Sequence, residues 1–296
     1  MSISAQQVKE LRDRTTAKMM DCKKALVEAD GDMEKAVEIL RTKSQSSADK
    51  KAAKVTGDGV VVVKTSSDGK SAVLLEVNSQ TDFVARDASF VAFANEVADV
   101  ALANNVSDLS KLGEQALSNG QGVDQFRVDL VAKLGENIHC RRVALFSCDG
   151  SDKFVASYIH QAKIGVLVKL EGGDENVARD MAMHVAASSP LVIDPSEVPQ
   201  DLVNKEKEIF IAQAKESGKP DDIIEKMVQG RVSKFLNEQS LVGQAFVKDP
   251  STKVGKVLDQ AKAKVVKFEK FVVGEGIEKE EDDFAKEVME QAFGKK

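Results

Sequence analysis

Residue types that usually carry chemistry are scarce in this chain. Its 296 residues include three His, three Cys, one Tyr and no Trp. The histidines, His139, His160 and His184, lie far apart, and none has a metal-ligand or triad-like spacing to a cysteine. Neither a GxxxxGK[ST] phosphate loop nor a CxxC pair occurs. We therefore predict no catalytic constellation, no metal site and no cofactor, and His184, at a helical position expected to be apolar, should be packed.

The charge pattern and the cysteine count limit the class of protein. Residues 1–56 hold 12 Lys or Arg against nine Asp or Glu, and the rest of the chain holds 30 against 39. A mildly basic head on an acidic body argues against direct nucleic-acid binding. Three cysteines cannot all pair, the N-terminus is polar, and no run of 18 apolar residues occurs. We expect a cytoplasmic protein that contacts neither nucleic acid nor membrane.

The first 44 residues are predicted to form three short helices. Ser4 with Gln7 three positions later is a capping box that begins the first helix. The second helix places Met19 and Cys22 on one apolar stripe, so both are expected to face inward. Residues 45–57 contain few apolar side chains, and we interpret them as a linker, of which a part could be helical.

The core is predicted to consist of two copies of one unit. Two apolar runs joined by Asp68-Gly69 indicate a β-hairpin, and one helix is expected from residue 84 to about residue 104. A shift of 93 residues aligns residues 70–95 with residues 163–188 without a gap, and Val-Ala-Arg-Asp occurs at the same place in both. Such a repeat predicts an α+β fold with two related units of antiparallel sheet plus helix.

An insertion interrupts the second unit. Residues 199–217 and 220–236 are predicted to form an antiparallel helical hairpin that projects as an arm. A strand at residues 265–273 is expected to complete the second sheet. Beyond residue 276, apolar residues at helical spacing among acidic ones predict an amphipathic tail helix.

The repeat makes one aromatic residue unusual. Phe83 stands in the first helical turn where the second copy has the polar Asn176. Phe83 could pack on the neighbouring loop, or it could be an exposed anchor for a partner. Met20 is expected on the outer face of the second helix, and His160, near the second hairpin turn, is the histidine expected to be exposed.

Three stretches resemble one known family. They are LRDRTTAKMMDCKKAL at residues 11–26, EVNSQTDFVA at residues 76–85 and GEGIE at residues 274–278. In order and over the whole chain, they resemble the bacterial elongation factor Ts family, guanine-nucleotide exchange factors of elongation factor Tu. The departures are Thr16 and Lys18 in place of glycines, Ser79 in place of a common Cys, Gln161-Ala162 in place of small glycine-type residues after His160, and an extended stretch at residues 104–126.

The resemblance implies an architecture that agrees with the predicted elements. The parts are a ubiquitin-associated-like three-helix domain at 1–44, a linker at 45–57, core subdomain N at 58–148, core subdomain C at 149–190 and 238–273, a coiled-coil hairpin insertion at 191–237, and a C-terminal module at 274–296.

The resemblance also implies a mechanism without covalent chemistry. The family binds elongation factor Tu, with GDP or free of nucleotide, and inserts a helix end beside the Mg²⁺ site of the GTPase, so that GDP leaves. The residues implied for this contact are Thr81, Asp82, Phe83 and Val84. Arg12, Met19 and Met20 are implied to contact the nucleotide-binding domain, and His160 and the second core unit another domain of the partner.

Two other functions stay open at this stage. The chain could be an adaptor whose helical head recognises ubiquitin-like or helical partners. It could also be an enzyme that uses His160 or His139 with a carboxylate, although no motif supports this. The arm is a candidate surface for self-association, and the sequence leaves open whether the tail docks on the core or on the partner.

Overall fold

Helices and small antiparallel sheets build this chain, which confirms the predicted α+β class. The computed structural model describes residues 3–148, 150, 153–216 and 220–278. The helices are α1 (Ala5–Thr15), α2 (Met19–Glu28), α3 (Met33–Lys51), α4 (Asp82–Ala85), α5 (Ala88–Ala103), α6 (Leu109–Glu114), α7 (Val123–Leu134), α8 (Glu175–Ser188), α9 (Gln200–Lys215), α10 (Asp221–Gln239) and α11 (Val254–Gln260). The strands are β1 (Asp58–Thr65), β2 (Ser71–Ser79), β3 (Ile138–Ser147), β4 (Lys153–His160), β5 (Ile164–Gly172), β6 (Ala245–Phe246), β7 (Asp249–Lys253) and β8 (Ala263–Val272).

The head is a bundle of α1, α2 and the first half of α3. The predicted capping box is present: the Ser4 hydroxyl accepts from the Gln7 N–H at 3.2 Å, and the Ser4 N–H donates to the Gln7 side chain at 3.0 Å. Leu11, Cys22 and Leu26 are fully buried and pack together. The local start signal and the apolar spacing thus position the helices as expected.

The stretch interpreted as a linker, residues 45–57, is helical in its first half. Helix α3 continues to Lys51, and Ala48 packs in the core of the first sheet unit. Ser44 is also buried, and α3 contacts α7 of the core. The few apolar side chains of this stretch are enough because they are small and lie against a preformed helix, so a continuous helix joins the head to the core.

The core contains two three-stranded antiparallel sheets with the same strand order. The first sheet has the order β1-β2-β3 and the second has the order β4-β5-β8. In each unit, a helical segment follows the second strand. One face of the first sheet packs on α5, whose Phe90 and Phe93 are buried, and the second sheet packs on α8 through Met181. The other two faces meet each other through Leu74 and Leu167. The helices α9 and α10 of the arm lie between β5 and β8 in the sequence, so the last strand of the second unit comes late in the chain.

A buried carboxylate joins the two units between the sheets. Glu76 of β2 has no exposed surface, yet its oxygens accept from Arg142 Nε at 2.5 Å, Arg141 Nη1 at 3.2 Å and the Gly274 N–H at 2.9 Å. Burial alone would raise the pKa of Glu76, but these hydrogen bonds and one from Asn78 hold it below the usual value. Since Gly274 follows β8, the carboxylate links the second unit to the first.

The helix expected from residue 84 to about 104 is broken in two. Helix α4 ends at Ala85, and α5 begins at Ala88 with Asp87 as its N-cap. The Asp87 carboxylate accepts from the Ser89 N–H at 2.8 Å, so the aspartate begins a new helix. In the second unit, the equivalent Asp180 lies inside the continuous α8 and pairs with Lys248. The sequence Val-Ala-Arg-Asp thus lies at a helix break in the first unit, where Asp87 caps α5. In the second unit it lies inside α8, and Asp180 pairs with Lys248.

The predicted arm is an antiparallel pair of helices, α9 and α10. Ala214, Ile224 and Val228 are buried between them, and the rings of Phe210 and Phe235 meet edge to face with centroids 6.5 Å apart. Residues 217–219, between the two helices, and residues 279–296, which hold nearly all of the predicted tail helix, lie outside the described part of the chain. In the part that the structure describes, every helix is too short or too polar to cross a lipid bilayer.

Candidate partner-binding surface

Phe83 lies on the protein surface at the start of α4. Its exposed fraction is 82%, whereas the next two residues of the helix, Val84 and Ala85, are 8% and 4% exposed. The helix is therefore anchored by two small apolar side chains and presents the aromatic ring to solvent. Of the two interpretations left open by the sequence, packing on the neighbouring loop is excluded by this exposure.

Thr81 is the N-cap of α4 and is held from outside the helix. Its hydroxyl accepts from the Val84 N–H at 3.4 Å and donates to Glu136 Oε1 at 2.6 Å. The Thr81 N–H donates to Glu136 Oε2 at 3.0 Å. Sequence reasoning missed Glu136 because it lies 55 residues further along the chain. Its only local signal is its place directly after Gly135, which ends α7 in a left-handed conformation.

Asp82 adds a negative charge to the exposed end of α4. One carboxylate oxygen lies 2.8 Å from an Arg86 guanidinium nitrogen, one turn further along the chain. The side chains are 42% and 78% exposed, so this pair contributes little to stability. It leaves Asp82 accessible to a partner, next to the exposed ring.

A groove of about 600 Å³ lies next to two of the predicted contacts, although neither residues 81–84 nor His160 line it. Ala85 and Arg86 line one side, and Ile159 and Gln161, the neighbours of His160, line the other. His160 itself is exposed at the end of β4, as predicted. The two sites, 77 positions apart in the sequence, thus border one surface feature.

The turn beside His160 closes the groove through the backbone. The Ala162 carbonyl accepts from the Val61 N–H of the edge strand β1 at 2.7 Å. Gln161 and Ala162 have φ values of 51° and 55°, which glycine-type residues adopt more easily. Gln161 and Ala162 therefore hold this turn in a conformation that glycine adopts with less strain.

The head presents a second apolar surface. Met20 is 60% exposed and Arg12 is exposed, as expected for contact residues. The prediction that Met19 faces inward is wrong, because its exposed fraction is 54%. Met19 is the first residue of α2, after α1 has ended, so no neighbouring turn covers it. Val27, 57% exposed, extends the same helix face. None of these residues lines the groove beside α4.

His184 and Cys140, two further candidates for chemistry, lie in environments that suit a structural role. His184 is buried, as predicted: Nδ1 accepts from the Val247 N–H at 3.2 Å, and Nε2 lies 2.9 Å from Gln244 Oε1. Burial lowers the pKa of His184, which keeps the ring neutral. Burial raises the pKa of the Cys140 thiol to about 12, so it is a poor nucleophile. Among the described residues, no three His, Cys, Asp or Glu side chains gather as metal ligands.

Comparison with known proteins gives a consistent result. Residues 80–275 match the family model described as elongation factor TS. Proteins named "Elongation factor Ts" from Legionella pneumophila, Alkalilimnicola ehrlichii and Francisella tularensis subsp. novicida are 52%, 53% and 54% identical to this chain. The alignments cover 98%, 99% and 99% of this chain and 98%, 100% and 99% of those proteins. The chain therefore belongs to the elongation factor Ts family of translation elongation factors.

Proposed function

We propose that this protein is the guanine-nucleotide exchange factor of elongation factor Tu in the cytoplasm. It binds the GDP-bound GTPase, promotes loss of GDP, and stays bound to the nucleotide-free form without any covalent step. The observation that carries the proposal is the exposure of Phe83, at 82%, on a helix whose next two side chains are buried. An apolar ring this exposed, on a fixed support, suits insertion into another protein.

The expected target is the surroundings of the Mg²⁺ ion in the GTPase. Mg²⁺ requires near-octahedral geometry, so a small displacement of its neighbours weakens its binding. A rigid aromatic ring backed by the core can impose such a displacement. The Asp82 carboxylate, which is accessible beside the ring, brings negative charge to the same place.

The size of the effect requires more contacts than one ring. Exchange is reciprocal, so GDP weakens binding of this protein as much as this protein weakens binding of GDP. Loosening GDP about 10⁴-fold needs roughly 5.5 kcal/mol of differential binding, whereas burying one Phe side chain supplies about 1.5–3 kcal/mol. We therefore assign further contacts to Arg12, Met19 and Met20 on the head and to His160 beside the groove.

Release of labelled GDP from elongation factor Tu tests the proposal. The wild-type protein should accelerate release, and Phe83→Ala should reduce the acceleration by about tenfold or more. Val55→Ala is the control, because this side chain is 42% exposed between α3 and β1 and does not line the groove. A wild-type rate in Phe83→Ala would contradict the wedge, and no acceleration by the wild type would contradict exchange itself.

Two further expectations stay proposals. The arm carries exposed apolar side chains, including Ile209 at 48% and Ile223 at 41%, and is a candidate surface for self-association. A single concentration-independent species of monomer size in size-exclusion chromatography would contradict this. The division of the chain at residues 57, 148, 190, 237 and 273 predicts sites of limited proteolysis. Cleavage at residue 44 is not expected, because α3 continues through this position to Lys51.

A further inference from the structure

We infer that Glu136 is a positioning residue that holds the N-cap of α4 and thereby fixes the direction in which Phe83 points. The inference rests on the proposed exchange function. Both oxygens of the carboxylate are used: Oε1 accepts from the Thr81 hydroxyl at 2.6 Å and Oε2 accepts from the Thr81 N–H at 3.0 Å. A carboxylate suits this place because it presents two acceptors to two donors.

The hydrogen bonds also orient the cap. Because the Thr81 hydroxyl hydrogen is directed at Glu136, the oxygen lone pairs are left for the Val84 N–H, 3.4 Å away. Helix α4 has four residues, about one turn, and a single turn is not stable by itself. Its geometry therefore depends on contacts outside the helix, and Phe83 contributes none of them, since its ring is in solvent.

The loop that carries Glu136 is itself held in place. Gly135 ends α7 with φ of 92°, and Ile138, the first residue of β3, is fully buried. Between them, Asn137 Nδ2 donates to the Ala52 carbonyl at 3.2 Å and the Lys54 carbonyl at 3.0 Å. The carboxylate thus transmits the rigidity of α7 and β3 to the helix that bears Phe83.

The effect on the ring can be measured without a partner. The chain has no Trp, so Phe83→Trp introduces a sole tryptophan at the exposed site. Time-resolved fluorescence anisotropy of this variant should show a larger amplitude of fast local motion after Glu136→Ala, and a smaller increase in the same direction after Thr81→Val. Glu96→Ala is the matched control, because Glu96 Oε1 accepts from the Ser118 N–H at 2.7 Å and hydroxyl at 2.5 Å elsewhere in the same unit.

Exchange is then measured in the chain that keeps Phe83. The maximal rate of GDP release at saturating protein should fall about fivefold to tenfold in Glu136→Ala, with Glu136→Gln between it and the wild type. Glu96→Ala should stay within about twofold of the wild type. In the Thr81→Val background, Glu136→Ala should have a smaller effect than in the wild type, since the hydroxyl contact is already gone and only the contact with the backbone N–H remains to be lost.

Each outcome decides the inference. Unchanged anisotropy in Glu136→Ala, or changed anisotropy with wild-type exchange, would overturn the positioning role, as would an equal loss in Glu96→Ala. If Glu136→Ala does not fold by far-UV circular dichroism, Thr81→Val, which keeps the side-chain shape, decides by the same two measurements. If the wild type itself does not accelerate GDP release, the proposed function fails, and the anisotropy comparison still decides whether Glu136 restrains residue 83.

Discussion

Replacement of Glu76 by Gln should destabilise the contact between the two sheet units. The carboxylate is fully buried and accepts from Arg141, Arg142 and the Gly274 N–H. A glutamine amide offers one acceptor and turns an NH₂ group toward the guanidinium donors. The change therefore leaves guanidinium donors unpaired and removes the buried charge that compensates them, so that only the half-exposed Glu275, 3.3 Å from Arg142, remains as a charged partner.

The magnitude follows from the exposure of the two arginines. Breaking a fully buried ion pair costs about 3–5 kcal/mol. The Arg141 and Arg142 side chains are 23% and 27% exposed, and Arg142 also donates to the Val272 carbonyl at 2.9 Å. We therefore expect a loss of about 2–4 kcal/mol in the free energy of unfolding at pH 7. Glu28→Gln breaks the exposed Lys43 pair and should change it by less than about 0.5 kcal/mol.

Urea unfolding followed by far-UV circular dichroism and by fluorescence measures this difference. Tyr158 is the only tyrosine and packs in the second unit, so its emission reports that unit while circular dichroism reports the whole chain.

The hydrogen bonds lower the pKa of Glu76 in the folded state below the unfolded value of about 4.3. The stability from the carboxylate is therefore present above that pH and is lost as the pH falls through the folded pKa.

Two results would refute this reasoning. One is the same urea midpoint for Glu76→Gln and the wild type at pH 7. The other is a difference at pH 3 as large as the difference at pH 7, which would mean that the side-chain shape matters and the charge does not. If the Tyr158 fluorescence of Glu76→Gln changes at a lower urea concentration than its circular dichroism, the contact between the units is the part that fails first.

Three further predictions concern stability. Asp87→Ala should lower the free energy of unfolding by about 1 kcal/mol in urea titration, because α5 loses its N-cap, and an unchanged midpoint would contradict this. Gln161→Asn with Ala162→Gly should raise it by about 1 kcal/mol, since φ is 51° and 55° at these positions, and thermal unfolding at a lower temperature would count against it. The buried His184 has a lowered pKa, so stability should decline as the pH falls below about 6.5, where the unfolded chain takes up the proton, and His184→Gln should remove that part of the urea-midpoint profile.

Much of the fold could be predicted from short-range patterns. The Ser4 capping box and the Asp68-Gly69 hairpin each depend on residues that are close together in the sequence, and both occur in the structure. The repeat also correctly predicted two sheets with a helical segment after the second strand. These features follow from local hydrogen bonds and periodicity, which the neighbouring residues contain in full.

Errors arose where the same pattern is compatible with two environments. Val-Ala-Arg-Asp occurs in both units, but Asp87 caps a new helix whereas Asp180 pairs with Lys248 and the helix continues. Met19 has the spacing of an inward residue, but at the first position of α2 no other element covers it. Spacing along a helix gives the direction of a side chain and does not say whether another element packs there.

The sequence by itself determined the family, through three motifs and an order that runs the length of the chain, and it singled out Phe83 as the unmatched aromatic in the repeat. Tertiary structure decided that the ring is exposed and that Glu136 holds its helix. It also decided that the charged Glu76 belongs inside, between two sheets, with arginines to compensate it. Exposure and pairing depend on which distant elements pack together, and this is a property of the whole folded chain.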